Sequence, residues 1–119
     1  MARVFLSHTT ADDAVATQVR DSLVERGHEV FVDHDLSNGI LLGDEWERRL
    51  HERLGWAEAL VCIVSPPYLT SPWCSAEIGA ARARGTRIVP LSTESGLTHP
   101  LLGFLQHADL AVDADLSLR

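Results

Sequence analysis

Glu77 and Trp73 are the pair of side chains in this sequence best placed for chemistry. Four residues apart on a helix, they share a face one turn apart. Ser71-Pro72 just before them is a strong helix start, a capping hydroxyl followed by proline at the first helical position. Glu77 therefore falls in the first turn and a half. A carboxylate there, beside an indole, is partly desolvated and well placed to meet a ligand. The simpler reading is that Glu77 only favours the positive end of the helix. What weights the ligand reading is where the helix starts, which depends on the elements around it.

Three other segments carry candidate groups. Ser7-His8-Thr9-Thr10 offers hydroxyls and amides where a helix begins, an arrangement that can hold a phosphate or a ribose. Capping by Thr10 is the plainer explanation, and His8 is either a titrating group or a hydrogen-bonding partner. Asp33-His34-Asp35 contains metal-ligand types, but no complete ligand set stands at a recognisable spacing, so no metal is expected. Asp33 can instead bond a ribose hydroxyl. Ile40-Leu41-Leu42, bracketed by Gly39 and Gly43, puts three apolar residues in one short loop. They cannot all fold back on the core, so the remainder marks a contact surface for another protein.

Short apolar runs alternate with helical patterns and position these segments. Val4-Phe5-Leu6 reads as a strand ending at Ser7-His8, followed by a helix from about Ala11 to Arg26, with Val15, Val19 and Leu23 on one face and Gly27 as its stop. Glu29–Val32 is a second strand. Asp44 with Glu47 can cap a second helix, on which Trp46, Leu50 and Leu54 share a stripe. Residues 59–64 are continuously apolar, as in a strand buried on both faces. The helix from Pro72 to about Arg84 buries Cys74, Ile78 and Ala81 and stops at Gly85. Arg87–Leu91 is a fourth strand, Pro100–Gln106 holds a short helix, and Leu110-Ala111-Val112 is a fifth strand. This alternation predicts an α/β fold: a doubly wound, flavodoxin-like, five-stranded parallel sheet with helices on both faces. Its ligand crevice lies beyond the carboxyl ends of the strands. That rule gathers residues 7–12, 33–43 and 65–73.

Composition narrows the function classes. The 119 residues suit one domain, expected over 1–119. A net charge of −7 makes nucleic acid a poor partner. All 10 basic residues are arginine, which excludes a Schiff-base lysine and a Walker phosphate loop. No apolar run approaches the roughly 18 residues of a membrane span. The N-terminus enters a strand at once, so no signal peptide is expected. Cys62 and Cys74 fit no metal spacing, Cys62 reads as a small core residue, and a reducing cytoplasm fits best.

Together these pieces resemble a TIR domain over nearly the whole chain. Val4-Phe5-Leu6-Ser7-His8 is similar to the family's first box. Val30-Phe31-Val32-Asp33 with its glycine-containing loop is similar to the second strand and signalling loop. Ser71-Pro72-Trp73-Cys74-Ser75-Ala76-Glu77 is similar to the region holding the catalytic glutamate of TIR enzymes that cleave NAD+. Gly39-Ile40 and Gly43-Asp44-Glu45-Trp46 look most like bacterial TIR domains at the N-terminus of larger proteins. The resemblance implies cleavage of the nicotinamide–ribose bond, with NAD+ as substrate and no cofactor. Glu77 would hold the ribose hydroxyls and stabilise an oxocarbenium-like transition state, Trp73 would be an aromatic wall, and Ser7, His8 and Asp33 would contact nucleotide or ribose. The signalling loop of a second copy, here Ile40-Leu41-Leu42, would complete the site, so other TIR domains are the expected protein partners. A self-assembling signalling or antiphage defence effector follows from the same resemblance. Two features depart from the family pattern. His8-Thr9-Thr10 lacks an arginine that some members carry. The sequence also ends at Arg119, without the usual closing helix, which suggests a shortened chain with one sheet face thinly covered.

The rival class is a non-catalytic TIR–TIR interaction module using the same loop. A response-regulator receiver is excluded, because the strand ends carry Ser7-His8 and Ser65-Pro66 instead of acids and lysine is absent. A flavin-mononucleotide binder rests only on the hydroxyls of residues 7–10.

Overall fold

The computed structural model describes residues 2–32, 44–94, 97–102 and 108–109, with side chains for all of these except 44–47, 49, 108 and 109. Five parallel strands, β1 (Arg3–Ser7), β2 (Glu29–Val32), β3 (Ala59–Val64), β4 (Arg87–Ser92) and β5 (Ala108–Asp109), form one sheet. Their order is β2-β1-β3-β4-β5, the flavodoxin-like arrangement. The helices are α1 (Asp13–Glu25), α2 (Asp44–Trp56), α3 (Pro66–Leu69) and α4 (Pro72–Arg84).

Two apolar layers follow from the period-two alternation of the strands. Phe5, Leu60, Cys62 and Val64 face one side, where Leu50 and Leu54 of α2 and Cys74, Ile78 and Ala81 of α4 cover them. Val4, Leu6, Val61 and Ile63 face the other, against Ala16, Val19 and Leu23 of α1. The sides are dictated by right-handed crossovers. The step from β1 to β2 runs one way along the sheet. The steps from β2 to β3 and from β3 to β4 run the other way, so α2 and α4 share the face opposite α1. Among the described residues α1 is the one helix in its layer. None of the described helices is long and apolar enough to cross a membrane.

The expected bounds of the second and third strands and of the Pro72–Arg84 helix match those found. Gly85 ends that helix at φ 73°, a left-handed conformation that costs glycine little. Thr10 is not a helix cap: it lies in a 3-10 turn, Thr10–Asp12, that precedes α1. Of the helix expected over Pro100–Gln106, Pro100–Leu102 form a 3-10 turn, and residues 103–106 lie outside the described residues. The fifth strand is found at Ala108–Asp109, just before the 110–112 segment expected for it, which lies outside the described residues. So do Asp33 and Ile40-Leu41-Leu42, and likewise the side chains of Asp44, Trp46 and Glu47. The short helix α3 has no counterpart in the sequence reading.

The layers set a stability contrast. Ile78 is wholly buried between α4 and the sheet, whereas Val24 is 52% exposed. Ile78→Ala should destabilise the domain by about 2–5 kcal/mol, and Val24→Ala by less than about 0.5 kcal/mol. Urea unfolding of the two variants measures both; equal effects would contradict this packing.

Candidate functional site

β1 and β3 are neighbours, yet the chain leaves them toward opposite faces, α1 on one side and α3 and α4 on the other. This is the switch point of the sheet, where the strand ends leave a crevice. Ser7 ends β1 in register with Cys62 of β3. Being two residues beyond Phe5, it shares Phe5's face and points toward α4.

There it meets Glu77. Ser7 Oγ donates to Glu77 Oε1 at 2.8 Å, a link across 70 residues of sequence. Glu77 is fully buried, on the same side of α4 as Cys74, Ile78 and Ala81. The sequence led us to expect a carboxylate only partly withdrawn from water. The spacing 74, 77, 78, 81 is a full core stripe, and the glutamate occupies one of its apolar positions.

Tyr68 completes the cluster, and the sequence reading missed it. Its hydroxyl lies 2.8 Å from Ser7 Oγ. Ser65 caps α3 by accepting from the Tyr68 N–H at 3.4 Å, and Pro66 takes the first position of the helix. That cap-then-proline signal is the same one that marks Ser71-Pro72. His99 packs edge-on against the Tyr68 ring with centroids 5.7 Å apart.

A cleft of about 350 Å³ opens beside this cluster, within the range of small-ligand sites. Thr9–Ala11 form one wall, and Pro67 with Ser71–Trp73 the other. Trp73 is half-buried and part of that wall; Glu77, a turn further along α4, is not among the lining residues. Asp12 braces the two sides. Its Oδ2 accepts from Thr9 Oγ1 at 3.0 Å and also from Ser65 Oγ.

The sequence-selected residues divide accordingly. Ser7 and Glu77 come together directly, and Trp73 walls the adjoining cleft. Ser7's hydroxyl is committed to Glu77 and Tyr68. His8 is buried, with Nε2 2.8 Å from Asp13 Oδ1 on the α1 side. Among the described residues no three His, Cys, Asp or Glu side chains group so as to hold a metal ion.

Burial dominates the electrostatics. It pushes the Cys62 thiol up to about 12 from 9.0, partly offset by a hydrogen bond with Tyr68 and reinforced by the charge of Glu77. Burial likewise raises the Tyr68 phenol well above its ordinary range, with Cys62, Cys74 and Glu77 adding to it. Both groups are thus held neutral.

A parallel α/β sheet of this order, with a buried carboxylate at its switch point, defines a flavodoxin-like domain with a crevice-end acid. The TIR domain family model matches residues 4–118, and the chain belongs to that family. Among solved structures it is similar to the TIR domain of the Toll-related receptor TRR-2 of Hydra magnipapillata, with TM-score 0.75 and 13% identity over 96% of this chain and 88% of that one. A TIR-STING receptor of C. gigas aligns with TM-score 0.66 and 21% identity over 93% of this chain and 38% of that one. The CMP N-glycosidase BcmB of Clostridium botulinum aligns with TM-score 0.56 and 25% identity over 79% of this chain and 71% of that one. No curated protein matches the sequence.

The raised thiol and phenol make stability fall in alkali. The native state keeps protons that the unfolded chain releases, so Cys62's contribution is whole below pH 9.0 and declines as pH rises toward about 12. Each such group removes about 1.4 kcal/mol per pH unit within its window. Denaturation midpoints should drop as pH rises from about 9 toward 12, and less steeply in Cys62→Ala. A midpoint constant over that range would show that the two groups are not held neutral.

Proposed function

We propose that this TIR domain is an NAD+ nucleosidase that cleaves the bond between nicotinamide and ribose, with Glu77 as its catalytic carboxylate. The observation that carries this reading is the position of Glu77: a buried acid at the switch point, held by a hydroxyl from the end of β1, beneath a cleft walled by an indole. An apolar side chain would fill the α4 stripe at lower cost. Strongly desolvated acids in such places are candidates for chemistry.

The reaction suits one carboxylate. As the C1′–N bond breaks, its electron pair goes to the pyridinium nitrogen, and nicotinamide leaves as a neutral base without needing an acid. Positive charge develops on the ribose ring, where an anionic Glu77 stabilises it. Water then adds at C1′ and releases a proton, giving ADP-ribose; attack from within the nucleotide would give the cyclised product. The BcmB enzyme, an N-glycosidase of CMP on a similar fold, supports the bond class. Trp73 supplies the flat apolar wall for a base.

In the single chain the carboxylate is enclosed, so turnover requires it to be uncovered. We assign that step to self-association through Ile40-Leu41-Leu42, with Asp33 joining the ribose contacts. The scaffold alternative is favoured by the same enclosure, and kinetics separates the two. Glu77→Gln should slow nicotinamide release by about 10²–10³-fold, followed by chromatography of NAD+ with concentrated protein. A wild-type rate in that variant would remove Glu77 from its role, and no cleavage by either protein at any concentration would leave the scaffold. Turnover per molecule should also climb steeply from dilute monomer to crowded protein, since a half-built site positions substrate poorly. Equal turnover in both, with assembly state checked by light scattering, would discard activation by self-association.

A further inference from the structure

We infer that Tyr68 is a positioning residue for Glu77, acting through the Ser7 hydroxyl as one directed chain of donors. The inference rests on the reading of Glu77 as the working carboxylate.

Counting protons fixes the direction. A serine hydroxyl has one proton and can accept as well. Ser7 spends its proton on Glu77 Oε1. The 2.8 Å contact between Ser7 Oγ and the Tyr68 hydroxyl must then be filled by the tyrosine's proton. Burial and the neighbouring Cys62, Cys74 and Glu77 keep the Tyr68 phenol protonated, so that proton is there to give. The order is Tyr68 to Ser7 to Glu77, both donors pointing toward the carboxylate. Ser7, Tyr68 and Glu77 are all wholly buried, so water does not substitute for a missing member. Chained donors in a low-dielectric interior polarise one another, and the last bond to an anion gains most. The chain therefore favours ionised Glu77 and fixes where Oε1 lies. A protonated Glu77 accepts the same bond through a neutral oxygen and gains much less from it.

The fold holds Tyr68 in place independently of Glu77. Its backbone N–H is tied to Ser65 Oγ, and its ring meets His99. Tyr68→Phe therefore keeps the packing and removes only the hydroxyl. The titratable groups close to the chain are Cys62, Cys74 and, across the Tyr68 ring, His99.

The test is the ionisation of Glu77 itself, followed by NMR of the whole domain carrying 13C-carboxyl glutamate, with the Glu77 resonance identified by its loss in Glu77→Gln. Tyr68→Phe should raise the Glu77 midpoint by at least about half a pH unit relative to wild type. Ser7→Ala, which cuts the same chain one link nearer, should raise it further. With NAD+, Tyr68→Phe should lower kcat roughly 10- to 100-fold with little change in KM. An unchanged midpoint in either folded variant overturns the inference, because a tyrosine that serves packing alone would leave Glu77 as it was. Absence of NAD+ cleavage by the wild type would defeat the proposed function, whereas the titration still decides the role of Tyr68.

Discussion

Taking a carboxylate out of water costs of order several kcal/mol unless donors replace its hydration. Glu77 imposes that demand in the middle of an apolar layer, and the ends of β1 and β3 are arranged to meet it. Ser7 reaches the acid because strand alternation brings every second residue to α4's face, and Phe5 has already fixed which face that is. A one-residue slip of β1 would turn Ser7 toward α1 and bury Leu6 against the carboxylate. The strand register is thus specified by two requirements at once, an apolar core and one polar contact. Tyr68 extends the polar cluster, and Cys62, in register with Ser7, closes it from below.

The cleft depends on a second polar arrangement. Loops at the strand ends belong to no ladder, so side chains must hold them. Asp12 does so by taking hydroxyls from both sides of the switch point, Thr9 after β1 and Ser65 after β3. Ser65 is also the cap of α3, so this carboxylate is joined to the helix that presents Pro67 to the cleft and Tyr68 to the buried cluster. The outer wall and the inner acid are in this way parts of one framework.

Much of this was legible in the sequence, for reasons particular to each element. The third strand is continuously apolar because it is covered on both faces, and the Ser71-Pro72 start and Gly85 stop bracket α4 unambiguously. The family resemblance, carried by three boxes, agreed with the fold found. Other features were hidden. α3 is only 4 residues long, too short for any helical period, so Tyr68 lay in what read as a loop. Thr10 carries a capping side chain but lies inside a 3-10 turn, one residue past its cap position Thr9. Glu77 and Trp73 stand four residues apart on α4, yet position 77 also falls three after Cys74 and one before Ile78. A stripe about 100° wide takes it in, so the acid went to the interior while the indole stayed at the cleft.

This separation of acid and indole has a consequence for how the site must work if Glu77 is catalytic. The cleft offers a wall for a ligand, whereas the acid that would act on the ligand is fully buried and does not line the cleft. Two states follow, one with the acid sealed by its neighbours and one with it open to the cleft. A partner can shift such an equilibrium only by binding the open state more tightly. The sealed state is stabilised by the Ser7 hydroxyl bond to Glu77, so opening that broke it would remove a donor that a charged carboxylate needs. The opening therefore has to come from the cleft side, leaving Ser7 and Tyr68 in place on the strand side. That would put the change at the cleft walls and leave the β1–β3 strand ends as the fixed frame beside them.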